Sequence, residues 1–302
     1  MWFKNATIYT MARFQHVLGV DFLNDQLGPL AFVPGTALER QRNGWVPLIE
    51  GDTLARAVGQ QYILSMRTET KLLPASVVNQ AVKERAAKIE QEQGFKPGRK
   101  QMREIKEAVT DELLPKSHSV WRDTRVWLDV ARGLLVIDSP SQAKCDEVIG
   151  LLCKSLENFR ATGLMTEESP TGVLTSWLAD DEPAPGFTLD ADIELRSSAQ
   201  SQASVRYVRV RPDVADTRRH IESGKRCIRM AVTWNDRLSF TLTDDLILKR
   251  ISPLDILRQD AHTYPEGEAE RFDADFFLMA NELGNAIADI VHAFGGLRSE
   301  NP

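Results

Sequence analysis

Apolar residues recur at intervals of three and four in two neighbouring stretches, Val78, Ala81, Val82 and Ile89 in the first and Met102, Ile105, Val109 and Leu113 in the second. That spacing predicts two helices, each with one apolar stripe on an otherwise charged rod. Lys96-Pro97-Gly98 interrupts the pattern, because proline and glycine do not continue a helix, and Pro115 closes the second rod. Neither rod has a second apolar face, so the two are expected to fold back antiparallel and bury stripe against stripe. Residues 75–121 are therefore read as a protruding helical hairpin.

Elsewhere the period shortens toward two. WFKNATIYT at 2–10 reads as a strand, Asp21 to Leu27 as a short helix ended by Gly28-Pro29, and 31–52 as short strands and turns. QQYILSMRTETKLLP leads into the hairpin, and TRVWLDVARGLLVIDSP beyond it reads as two strands turning at Ala131 to Gly133. The hairpin is thus expected as an insertion between strands of one sheet. Ser141 to Leu156 reads as an amphipathic helix capped by Ser141, with Val148, Leu151, Leu152 and Leu156 on one face. A short helix over GVLTSWLAD follows, then a basic strand at 205–211 with a bulge at Val208. A three-stranded meander turning at Asn235-Asp236 and Asp244-Asp245 leads to a long, broadly apolar C-terminal helix or helix pair. The predicted class is α+β, with mixed or antiparallel sheets. Three parts are expected: a central sheet domain from 1–74 and 122–165, the hairpin at 75–121, and a second α+β region at 166–302.

With 302 residues and 42% hydrophobic content, the chain can bury one large core or two modest ones. No run of 18 apolar residues occurs, and MWFKNATIYTMARF lacks the basic-then-apolar layout of a signal peptide, so a cytoplasmic protein without membrane contact is expected. Cys145, Cys153 and Cys227 have no CxxC spacing and read as reduced core thiols.

Net charge is −6, which argues against a polyanion partner until its distribution is examined. Lys83 to Lys106 holds 8 Lys and Arg against 4 Glu, and Arg196 to Arg229 holds 9 against 3 acids. By contrast, Glu157 to Leu195 holds 9 acids against Arg160 alone, and 255–302 holds 10 acids against 3 bases. Two basic segments are set into an acidic body.

No GxxxxGK[ST], GxGxxG after a strand, HExxH or GxSxG occurs, and His16, His118, His220, His262 and His292 lack ligand spacing. No metal and no cofactor are expected. Asp213 with Glu222 and Lys225 is similar to the carboxylates and lysine of a metal-dependent nuclease, but one residue too many separates acid from lysine. Asp244-Asp245 reads as a hairpin turn. The Lys/Glu-rich helices fit a solvated face with internal ion pairs as well as an anion-binding one. Three arginines on the seven-residue strand 205–211 favour an anion-facing surface, because they repel one another unless acids or a ligand offset them. The charge pattern nominates Lys96, Arg99, Lys100, Arg103, Arg206, Arg209 and Arg211 as phosphate contacts, and His118 and Trp121 as residues of the hairpin tip that insert into a groove or form a subunit contact.

MWFKN at the N-terminus, GWVP at 44–47, KLLP at 71–74, LLP at 113–115, WLDVARGLLVID at 127–138, LLCKSL at 151–156, HIESGK at 220–225 and RFDADFFLM at 271–279 together resemble the RdgC family of bacterial recombination-associated proteins. The resemblance covers essentially the whole chain. It implies binding to duplex DNA without marked sequence preference, association with the nucleoid, restraint of RecA-mediated strand exchange, and a closed ring-shaped homodimer with a positive central hole. It carries no catalytic residues. For closing such a dimer, the hairpin tip near Trp121 and the C-terminal helix around Phe276, Phe277 and Ile287 are the expected contacts. A metal-dependent nuclease and a non-catalytic interaction scaffold are the competing functions.

Overall fold

The computed structural model describes residues 2–11, 19–197, 203–260 and 267–298. His16 and His262 lie outside them. In chain order the elements are β1 (Asn5–Met11), α1 (Val20–Leu27), β2 (Gln41–Val46), β3 (Ala55–Val58), β4 (Gln61–Lys71), α2 (Ala75–Gln93) and α3 (Arg99–Leu113). Then come β5 (Ser119–Asp129), β6 (Leu134–Ile137), α4 (Gln142–Ser155), β7 (Ala161–Gly163), α5 (Pro170–Asp180), β8 (Phe187–Ser197) and β9 (Ser204–Tyr207). The chain continues through α6 (Val214–Glu222), β10 (Lys225–Trp234), β11 (Leu238–Thr243), β12 (Leu248–Pro253), α7 (Asp255–Asp260) and α8 (Glu268–Ala293). The fold is α+β, and every ladder between these strands is antiparallel.

The strands run in the order β2-β4-β5-β6-β1-β12-β11-β10-β8-β9, with β3 beside β4 and β7 beside β1. β1 is the joint of this path: Asn5 and Ala6 pair with Lys249 and Leu248 of β12, and Thr7 to Thr10 pair with Ile137 to Leu134 of β6. Asp138 fixes that joint by accepting the N–H groups of Lys4 and Asn5 at 3.0 and 2.9 Å. Burial pushes its carboxyl above the usual aspartate range.

Both faces of the sheet are used. One core joins Phe3, Ile63, Trp127 and Val136 to Met230, Val232 and Leu242 under α5 and α8. The other collects Trp45, Leu64, Leu128 and Leu135 with α1 and α4. α8 belongs to the first core, with Phe276, Met279, Leu283, Ile287 and Ile290 buried. Phe276 and Ile287 are therefore interior residues of this chain and not available to a subunit contact, contrary to the expectation from sequence; Phe277 faces outward.

Other sequence expectations also shift. Ser141 occupies the residue before α4, but its side chain makes no capping hydrogen bond; its backbone carbonyl accepts from Lys144 and Cys145 instead. Cys145 and Cys227 are buried thiols, whereas Cys153 is exposed. Burial pushes the Cys227 thiol up to about 12. The meander turns where expected. Asn235 and Asp236 take φ of 47° and 52°, a left-handed pair closed by the Arg237 N–H on the Trp234 carbonyl at 2.9 Å, and the Trp234–Leu238 ladder pair leaves three residues in the loop.

Candidate nucleic-acid interface

α2 and α3 meet through Val78, Val82, Ile105 and Val109, with Ala81, Ile89, Met102 and Leu113 packed around them. This small core shares no residue with the two sheet cores. The helices leave the sheet where β4 and β5 end, at the Lys71–Ser119 pair. Gly94, at φ 78°, closes α2 in the left-handed conformation, and Pro97 and Gly98 lead into α3.

The turn at 94–98 is the end of the helix pair farthest along the chain from the sheet. Phe95 stands on it, 63% exposed. Lys96, Arg99, Lys100 and Arg103 follow, all exposed, with no acid between 96 and 103. Arg103 reaches Glu107 at 3.1 Å, and farther down Arg85 and Lys116 share Glu112. Among the described residues no side-chain hydrogen bond or ion pair engages Lys96, Arg99 or Lys100. Arg99 and Lys100 also sit in the first turn of α3, the positive end of its dipole, where acids are favoured and none is present. A shallow groove lined by Arg40, Arg103 and Lys106 runs beside them, tempered by Glu107 and Asp111.

His118 and Trp121 lie at the opposite end of the helix pair. Trp121 is on β5, across from Glu69 of β4, and the His118 carbonyl accepts the Leu72 N–H at 2.7 Å. This corrects the expectation that they form the tip. Trp121 makes an edge contact with Phe32 at 5.4 Å, and the Arg67 guanidinium, gripped by both oxygens of Asp123 at 2.7 Å, lies 5.2 Å from its ring. Sequence reasoning did not find Phe32, Arg67 or Phe95. Phe95 alone carried a usable signal, an aromatic beside the helix-breaking Lys-Pro-Gly.

The second basic segment is compensated by the acidic one that precedes it in sequence. β8 lies between β9 and β10, so Glu194 sits directly opposite Arg206 and within 3.4 Å of both Arg196 and Arg229. The expected strand at 205–211 stops at Tyr207. Asp192 captures the Arg209 N–H at 2.8 Å, and Arg209 turns left-handed at φ 58° instead of extending the ladder. That N–H, with Arg250 and Arg206 nearby, holds the Asp192 carboxyl below its usual range. Arg211 pairs with Asp181. Val208 and Val210, expected on a buried strand face, are exposed. Among the described residues the cations here without an ion pair include the nominated Arg206 and Arg209 and also Arg226, which sequence reasoning passed by; Arg226 is exposed and faces Arg196 across β8 and β10.

Asp213 and Glu222 stand at the two ends of α6, about 13 Å apart along its axis at the rise of an α-helix. Lys225 donates to the Ser223 hydroxyl at 2.8 Å. These three do not converge as a nuclease site requires. Among the described residues no group of three His, Cys, Asp or Glu is arranged to hold a metal ion, and no helix is long and apolar enough to cross a membrane.

Comparison with known proteins places this chain in a family. A family model described as "Putative exonuclease, RdgC" matches residues 1–297. The chain belongs to the RdgC family. Proteins named "Recombination-associated protein RdgC" are similar to it along their full lengths. That of Cupriavidus pinatubonensis is 50% identical over 298 residues, covering 99% of each chain. That of Bordetella pertussis is 48% identical over 296 residues, covering 98% of this chain and 99% of the relative. That of Burkholderia ambifaria is 48% identical over 301 residues, covering 100% and 98%. The description of the family model and the names of the relatives point to different activities, a nuclease in one case and an unspecified part in recombination in the other.

Proposed function

We propose that this chain is a cytoplasmic, nucleoid-associated protein that binds duplex DNA without reading its sequence and restrains RecA-mediated recombination by occupying or encircling the duplex. The observation that carries the reading is the run of exposed cations from Lys96 to Arg103, three of them without an acid partner among the described residues, on a helix pair that stands apart from both cores. Such side chains neutralise phosphates and release counterions, and none of them is set on an element that presents a row of side chains to base edges. The working unit is a homodimer that closes around DNA, with the surfaces around Trp121 and Phe277 as its contacts. Arg206 and Arg211 give weaker phosphate contacts, because Glu194 and Asp192 lie beside the first and Asp181 pairs with the second, while Arg209, held by Asp192 only through its backbone N–H, adds a contact through its guanidinium. No cofactor takes part, and the protein is not an enzyme.

The test is a titration of unrelated duplexes of equal length, repeated with magnesium and with chelator. Affinities within about tenfold of one another are expected, well short of the roughly thousandfold or greater gap of specific binders. Intact DNA is expected in magnesium, as is slowed strand exchange when RecA competes for the same duplex. Cleavage of the DNA would establish the nuclease instead, and failure to bind at low salt would leave an interaction scaffold.

A further inference from the structure

Phe95 is the one large apolar side chain on the turn between α2 and α3, and it is more exposed than any aromatic ring in either sheet core. Gly94 and Gly98 flank the turn and Pro97 stiffens it, so the ring is held on a short segment rather than on a floppy loop. The residues next to it are Lys96, Arg99 and Lys100, cations without acid partners among the described residues. Glu90 and Glu92 precede the ring in the last turn of α2, but the residues that follow it carry only positive charge as far as Arg103, and an apolar ring beside such a run matches a partner that offers apolar surface inside a shell of negative charge. Stacked bases within two phosphate backbones are that partner. Resting on the reading of this helix pair as a DNA contact, we propose that Phe95 is a wedge that enters the minor groove and partly unstacks one base step while the adjoining cations hold the phosphates on either side.

The wedge gives the protein a mild preference that needs no hydrogen bond to a base. Pyrimidine–purine steps, TA above all, unstack at least cost, and A-tracts resist deformation. Binding should therefore be tightest where the duplex bends easily, within the narrow range that a sequence-independent binder allows.

The experiment uses the full chain and 2-aminopurine duplexes with the fluorescent base beside a central TA step or inside an A-tract. Saturating protein should raise the fluorescence beside TA by severalfold and inside the A-tract far less. Phe95→Ala should abolish that rise and weaken binding about tenfold, within the value of one base–aromatic stack. The dependence of affinity on salt should not change, since every cation that meets a phosphate is still in place. Phe95→Trp should restore the rise. Equal fluorescence for Phe95→Ala and the parent would overturn the proposal, as would no rise in the parent; either leaves duplex binding itself intact. Dissociation of the free dimer by Phe95→Ala would also overturn it, by assigning the ring to a contact between copies. A parent that binds no duplex removes both this inference and the reading it rests on.

Discussion

At the scale of residues, the segment 31–40 is tied to the sheet at both ends by backbone bonds, Phe32 N–H to the Trp45 carbonyl at 2.8 Å and Lys71 N–H to the Arg40 carbonyl at 2.9 Å, and at its middle by one carboxylate. Glu69 accepts the Gly35 N–H at 2.6 Å, and that bond, with help from the Ser119 hydroxyl and the Trp121 indole, keeps its carboxyl below the usual glutamate range. A carboxylate depressed in the fold contributes stability that is complete above its unfolded-state value and is lost as pH falls through the folded value. Acidification should therefore release Gly35 and loosen Phe32 against Trp121. The Gly35 amide resonance should titrate with a midpoint below that of an ordinary glutamate, and Glu69→Gln should flatten the curve. A midpoint at or above the ordinary value would show that the bond does not hold the segment. Trp121 was legible in sequence as an aromatic near the helices; its partners were not. Phe32 and Arg67 reach it from the segment before β2 and from β4, and only the antiparallel register brings those positions together. Arg211 and Asp181, thirty residues apart, are a pair of the same kind.

At the scale of elements, the helix pair was the most readable part of the chain, because helical periodicity is local and each rod had only one face to bury. The strand at 205–211 was misread for an equally local reason. Alternating Val and Arg satisfies a period of two, but whether a strand continues depends on its neighbour, and here Asp192 takes the N–H that the ladder needed. The separateness of the helix-pair core leads to a prediction. Ile105→Ala removes one of its four buried side chains and should cost about 2 kcal/mol, the lower end for such a truncation in so small a core. The effect should stay local. Amide exchange should quicken across 75–113 while β4 and β5 keep their protection, because none of their residues belongs to that core. Equally weakened protection in β4 and β5 would mean that the helices and the sheet open as one unit.

At the scale of the whole molecule, the antiparallel α+β class and the insertion of the helices between two adjacent strands followed from the order of periods in the sequence. The role of β1 did not, because a strand that pairs half its length with β6 and two residues with β12 looks like any other strand until both partners are known. Charge behaves the same way. Read along the chain, the arginine strand at 205–211 was the stronger candidate for an anion-facing surface, but folding lays acidic β8 beside basic β9 and β10, whereas among the described residues no acid forms an ion pair with Lys96, Arg99 or Lys100. The two segments should therefore differ in the salt dependence of DNA binding. Changing Lys96, Arg99 and Lys100 to Ala should make the slope of log affinity against log salt shallower by about 0.9 for each phosphate no longer neutralised, summed over both subunits of a dimer. Arg206→Ala with Arg209→Ala should change it less, since Glu194 and Asp192 already offset the Arg206 charge, while the Arg209 guanidinium stands without an ion pair among the described residues. Asp181→Asn frees Arg211 and should steepen the slope if DNA passes that edge of the sheet. Fluorescence anisotropy across a range of salt concentrations, with sedimentation to show that each variant keeps the assembly of the parent, measures all three. If the arginine pair flattens the slope as much as the three cations of the helix pair, the phosphates run along β9, and the helix pair is a subunit contact whose cations face only water.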